Sequence, residues 1–120
     1  RVRKVLGGGM RQVGFMAAAG IYALDNNINR LTEDHKRAKE IGAALKQQDY
    51  VLEVETVETN IVIFYLKKPS NEAEFMKQLQ QENIRISNMG QGKLRIVTHL
   101  DYTPEMHGKF LAILKGISLK

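Results

Sequence analysis

Cysteine is absent from the 120 residues, which excludes disulfides and thiolate metal ligation and fits the reducing cytoplasm where we expect the protein to reside. Tryptophan is absent too, and the two prolines are isolated. With no polar low-complexity tract, nothing reads as disordered. No apolar run approaches the roughly 20 residues that cross a bilayer, so no membrane partner is expected. Arg1, Arg3 and Lys4 lead into glycines rather than the apolar core of a secretory signal. His35, His99 and His107 are dispersed, without HExxH or paired ligand spacing, so no metal site is expected. There is no Gly-x-Ser-x-Gly elbow, and Asp101 and Glu105 lack a catalytic spacing. No catalytic residue is therefore assigned within the chain.

What remains is the composition of a globular domain, 43% hydrophobic and 26% charged. A chain of this length buries roughly two thirds of its unfolded surface. The net charge of +5 is uneven: residues 1–48 hold nine basic and four acidic residues, and residues 49–120 nine of each. A basic N-terminal portion invites an anionic partner such as a phosphate, a membrane surface or nucleic acid. For residues 30–46 a solvated helix face explains the charge well enough. Residues 1–11 fit that account less well, with four basic residues and no acid around a glycine cluster.

Periodicity divides the chain near residue 48, giving a helical segment 1–48 and a small α+β domain 49–120. Val13, Met16, Ala17, Gly20, Ile21 and Leu24 recur at helical spacing within 10–26, and Asn26 and Asn27 should end that helix. Leu31, Ala38, Ile41 and Leu45 form a stripe on a second helix, 28–46, suited to linking domains or pairing with another subunit. Then comes β-β-α-β-β-α. Residues 50–55 alternate, with Tyr50, Leu52 and Val54 on one face. Residues 61–66 are a continuous apolar run, as in a strand covered on both sides. Asn71 and Glu74 fit a capping box ahead of Phe75, Met76 and Leu79. Strands 84–89 and 93–99 flank Gly90-Gln91-Gly92. Thr103 and Pro104 should start a last helix burying Met106, Phe110, Ile113 and Ile117. The expected fold class is α+β: interface or linker helices, then a sandwich with helices on one face of a mostly antiparallel sheet.

Two features bear on chemistry. In Lys4-Val-Leu-Gly-Gly-Gly-Met-Arg11, glycines entering a helix would expose backbone N–H groups beside two full positive charges. Phosphate binding and a flexible hinge are both compatible with that composition. In strand 93–99, Leu94, Ile96 and Thr98 should face the helices, while Arg95, Val97 and His99 face away. An arginine fixed mid-strand suits a carboxylate, although a cross-strand ion pair is the plainer account. His107 is expected to be solvated on the exposed side of the last helix, His35 to lie on a helix surface or interface, and His99 to hydrogen-bond near Asp101.

The segment from Arg1 to Gly14 resembles the stretch that follows the cofactor lysine in threonine aldolases. Ala17-Ala-Ala-Gly-Ile-Tyr-Ala-Leu, Leu31-Thr-Glu-Asp-His35, Val57-Glu-Thr-Asn-Ile-Val62 and Leu94-Arg-Ile-Val-Thr-His-Leu-Asp101 are similar to that family as well, in order along nearly the whole chain. The resemblance implies an aspartate-aminotransferase-like fold, of which this would be the C-terminal portion, and a homotetramer built from dimers. It implies pyridoxal 5'-phosphate as cofactor and a lyase that cleaves L-threonine or L-allo-threonine to glycine and an aldehyde, in threonine catabolism and glycine biosynthesis. The cofactor lysine and the histidine stacked on the ring would lie upstream, so the isolated segment is expected to be inactive. By residue, the resemblance implies that Lys4 and Arg11 reach the cofactor phosphate of the neighbouring subunit and that Arg95 holds the substrate carboxylate. A related β-eliminating lyase, or a non-enzymatic RNA- or ligand-binding module, is the alternative. The RNA option lacks stacking aromatics on an exposed sheet beside basic residues, so no nucleic-acid partner is expected.

Overall fold

The computed structural model describes residues 1–119. Contacts divide the chain into two units, Arg1–Leu31 and the remainder from Thr32. The first holds a single-turn helix, α1 (Val2–Val5), and α2 (Val13–Asn27). No residue of either helix is buried. The apolar residues expected to form one stripe on α2 are exposed, Met16, Ile21 and Leu24 among them. Asn26 lies inside α2 and donates its side-chain amide to the Tyr22 carbonyl at 2.9 Å.

The second unit is α+β. It takes in α3 (Leu31–Lys46) from Thr32 onward, followed by β1 (Val51–Val54) and β2 (Ile61–Leu66). A 3-10 turn, Pro69–Asn71, leads into α4 (Glu72–Gln81), then β3 (Ser87–Asn88), β4 (Lys93–Val97) and α5 (Pro104–Gly116). The four strands form one antiparallel sheet in the order β1-β2-β4-β3. Alternation decides its faces: Val62, Phe64, Leu66, Leu94 and Ile96 are buried, together with Ala38, Ile41 and Leu45 of α3, Phe75 and Leu79 of α4, and Phe110 and Leu114 of α5. α3, which periodicity groups with the N-terminal helices, thus shares the core of the sheet. At its centre Phe64 and Phe75 meet edge to face, centroids 5.8 Å apart, and Tyr50 packs on Phe75 at 5.6 Å. Among the described residues no helix is long and apolar enough to cross a membrane.

Several local expectations are corrected. β1 does not alternate, because pairing shifts between Val51↔Leu66 and Glu53↔Tyr65 and leaves Leu52 as an extra, exposed residue. Val51 and Val54 therefore face the core, rather than Tyr50, Leu52 and Val54. β2 is buried on one side only; Ile61 is exposed and Ile63 and Tyr65 half-buried on the other. Only Ser87 and Asn88 of the expected strand 84–89 pair with β4. Asn71 makes no side-chain cap at α4. Instead, Glu72 accepts hydrogen bonds from the Asn88 amide and, at 2.8 Å, from the Gly92 N–H. Thr103 does cap α5, accepting from the Met106 N–H at 3.3 Å, but the buried residues are His107, Phe110 and Leu114. Met106 is exposed, so the buried stripe is rotated by about one residue from the expected one.

Truncating Phe75 to Ala should cost about 3–5 kcal/mol of stability in urea denaturation, whereas Leu52→Ala should stay within about 0.5 kcal/mol. Comparable losses for the two variants would place Leu52, not the bulge, in the core.

Candidate functional site

Arg95 occupies the middle of β4 on the sheet face opposite the helices, and it is exposed. Its cross-strand partners are Ile63 of β2 and Ser87 of β3. Neither is acidic, and the Ser87 hydroxyl, at 3.5 Å, makes its one hydrogen bond among the described residues. The cross-strand ion pair is instead one row away. Lys93 reaches Glu55 at 3.2 Å and lies over the Tyr65 ring, 5.2 Å from its centroid, while the Tyr65 hydroxyl donates to Glu55 at 2.7 Å. The Tyr65 hydrogen bond, and then the one from Lys93, hold the Glu55 carboxyl below its ordinary value; Tyr65 and Glu55 raise that of Lys93. Arg95 makes no comparable ion pair among the described residues.

Lys4 and Arg11 belong to the other unit, and both are exposed. The glycines between them do not run directly into a helix. Gly7 and Gly8 donate their N–H groups to the Lys4 and Arg3 carbonyls at 3.1 and 2.7 Å, closing α1. α2 starts only at Val13, after Gln12 in a left-handed conformation at φ 50°. The amides of Gly7 and Gly8 are thus already used within the chain and are not open to an anion. Close backbone approach does need the glycines: a Cβ would stand 2.9 Å from Arg3 Cγ at Gly8 and 3.0 Å from Lys4 Cγ at Gly9.

Of the three histidines, only His107 departs from expectation. His99 is exposed, with Nδ1 accepting from the Asp101 N–H at 3.2 Å. His35 lies on α3, half-buried. His107, expected in solvent, is buried between α3 and α5 because the α5 face is rotated. Its Nε2 is 2.7 Å from Glu40 Oε2 and its Nδ1 3.1 Å from the Tyr102 hydroxyl. A carboxylate only accepts, so the hydrogen on Nε2 points to Glu40. Arg37 donates to the Tyr102 carbonyl, and burial pushes the Tyr102 hydroxyl up to about 12, with Arg37 opposing. Nothing in the spacing of Glu40, Tyr102 and His107 along the chain announces this network.

A second buried polar junction was equally hidden. Thr98, 1% exposed, donates its hydroxyl to the Asp34 carbonyl at 2.8 Å and its N–H to the Asn60 carbonyl at 3.0 Å. The Asn60 amide returns a bond to the Thr98 carbonyl at 2.7 Å. Beyond it, a cleft of about 430 Å³ opens between the end of β4, residues 82–86 and α5, with Ile84, Ile86, Val97 and Phe110 among its walls. Among the described residues no three metal-ligating side chains cluster.

Residues 1–69, more than half of the chain, match a family model described as beta-eliminating lyase, and the chain belongs to that family. Within it, the chain is similar to proteins named for threonine aldolase activity. It is 40% identical over 112 residues to a low specificity L-threonine aldolase of Escherichia coli strain K12, covering 88% of this chain and 30% of that protein. It is 36% identical over 105 residues to low-specificity L-threonine aldolase 1 of Arabidopsis thaliana, covering 85% of this chain and 29% of that protein. With the low-specificity L-threonine aldolase of Candida albicans it shares 33% identity over 103 residues, 86% of this chain and 26% of the other. The chain thus spans less than a third of the length of these relatives.

Two outcomes follow from these contacts. His107→Ala, which removes the buried ring from between Glu40 and Tyr102, should cost about 1–3 kcal/mol in urea denaturation. Glu55 has a lowered value in the folded state, so its contribution is present above the ordinary carboxylate range and lost as pH falls through the lowered value. The stability difference between the wild type and Glu55→Gln should therefore vanish on acidification; a difference that persists at pH 2 would mean the carboxylate charge is not its source.

Proposed function

We propose that the protein to which this chain contributes is a pyridoxal-phosphate-dependent lyase that cleaves L-allo-threonine and L-threonine to glycine and an aldehyde. The observation that carries this is Arg95: an arginine held mid-strand on an open sheet face, with no carboxylate partner among the described residues, beside a lysine that has one. Its fork matches the α-carboxylate of an amino acid in a bidentate pair. Membership of the beta-eliminating lyase family and similarity to named threonine aldolases support the same chemistry.

The N-terminal unit fits the cofactor's phosphate in its donor set. Lys4 and Arg11 are exposed cations, no acid precedes Asp25, and glycines let the Arg3 and Lys4 side chains fold back over the backbone. Lys4 and Arg11 would neutralise the phosphate of a neighbouring subunit, so assembly would complete the site. When bound, pyridoxal phosphate supplies an electron sink for the pair left on Cα as the Cα–Cβ bond breaks. Arg95 fixes the substrate through its carboxylate and so orients the bond to be broken. The exposed apolar side chains of α2, among them Phe15, Ile21 and Leu24, support burial against further protein, which suits a homotetramer made of dimers. The second unit would then be the C-terminal domain of an aspartate-aminotransferase-like fold, in a cytoplasmic enzyme of threonine catabolism and glycine biosynthesis.

The family's own description favours a second reaction, elimination at the β-carbon. One assay separates the two. Acetaldehyde released from L-allo-threonine and L-threonine by the full-length protein, dependent on pyridoxal phosphate, marks the aldolase. Cofactor binding with a 2-oxo acid as product marks the eliminating lyase. In the aldolase, Arg95→Leu should lower kcat/KM by up to about a hundredfold, or 2–3 kcal/mol; unchanged kinetics would remove Arg95 from the site. Lys4→Ala and Arg11→Ala should each weaken pyridoxal phosphate binding by about tenfold or more, measured by cofactor titration.

A further inference from the structure

Arg95 is aimed by its backbone, because its side chain has almost nothing else to hold it. The Ser87 hydroxyl at 3.5 Å is too distant to fix a guanidinium, and Ile63 offers only an apolar wall. The direction of the fork therefore depends on where β4 lies. One end of β4 is held where Glu72 accepts the Gly92 N–H. The other end is held beyond the last sheet pair, Ile61↔Val97, by the Asn60–Thr98–Asp34 junction.

We propose that Asn60 and Thr98 are positioning residues for substrate binding, acting through Arg95; this rests on the carboxylate-binding role proposed for that arginine. Four hydrogen bonds converge on Thr98, the weakest from its hydroxyl to the Asn60 carbonyl at 3.4 Å. Its N–H and carbonyl exchange bonds with Asn60, and the Asn60 side-chain amide supplies a donor where β2 itself has not yet begun. The Thr98 hydroxyl ties the same point to the first turn of α3 through the Asp34 carbonyl. β2, β4 and α3 are thus locked at one buried spot, three residues from Arg95 along the strand. The far half of β4 is held by its ladder with β2, which ends at Ile61↔Val97, while β3 reaches only Leu94 and Arg95; the lock extends the β2–β4 pairing one step past that end. A bidentate pair tolerates little displacement, because both N–H···O bonds lengthen and bend together. Loosening β4 should thus appear as weaker substrate binding rather than slower bond cleavage.

The test uses the full-length protein and four variants: Thr98→Val, Asn60→Ala, Thr98→Ser and, as a control, Val51→Ala in β1, the edge strand not paired with β4. KM and kcat for L-allo-threonine are measured beside the urea midpoint and the hydrogen exchange of the β4 amides. Thr98→Val and Asn60→Ala should raise KM about tenfold with kcat within about twofold, the pattern of lost uniform binding. Their amides from Arg95 to Thr98 should exchange faster. Thr98→Ser keeps the hydroxyl and should restore KM to within about twofold of wild type. Val51→Ala should lower the urea midpoint and leave KM unchanged. An unchanged KM in Thr98→Val, or a KM that rises equally in Val51→Ala, would overturn the proposal and leave the junction a purely structural one. A wild-type protein that binds no amino-acid substrate would overturn the lyase reading itself, and the positioning role with it.

Discussion

Burial of one face of the four-stranded sheet is the constraint on which the second unit depends. Phe64 at the centre of β2 and Phe75 on α4 meet edge to face, and α3, α4 and α5 close around them. Because side chains alternate along a strand, burying Val62, Phe64, Leu94 and Ile96 forces Ile63, Tyr65, Lys93 and Arg95 onto the opposite face. The outward position of Arg95 is therefore a by-product of the core register. A slip of one residue in β4 would bury Arg95 and expose Leu94.

Polar clamps refine what the apolar core sets out. Asn60, Thr98 and the Asp34 carbonyl lock one end of β4, and Glu72 holds the other. Glu40, His107 and Tyr102 join α3, α5 and the loop after β4. Each clamp satisfies groups that burial would otherwise leave costly, and each gives the packing a direction that apolar contact alone lacks. Among the described residues no buried side-chain N or O atom is left without a partner. The open face is different in character. Lys93 is neutralised by Glu55 while Arg95 keeps its charge available, an asymmetry between neighbouring cations that core packing does not require.

The N-terminal unit inverts this arrangement. α2 carries apolar side chains on all sides and buries none, whereas a helix of such composition is ordinarily enclosed by protein. The matches to named relatives likewise extend over less than a third of each of them. The cations and glycines that precede α2 are equally exposed.

Helical spacing, apolar runs and turn residues in the sequence determined the α+β class and the β-β-α-β-β-α order, and alternation along 93–99 gave the outward direction of Arg95, because each is local information. The Thr103 cap and the glycine turn at 90–92 were legible for the same reason: both are decided within four residues. Tertiary structure alone decided the bulge at Leu52, the rotation of α5 that buries His107, the inclusion of α3 in the core and the Asn60–Thr98–Asp34 lock. Each depends on which surfaces meet across 12 to 67 positions of chain, and one sequence carries no sign of such meetings. Whether Arg95 faced an acid or stood free was likewise settled only by β-pairing, which set Ile63 and Ser87 beside it and gave Glu55 to Lys93.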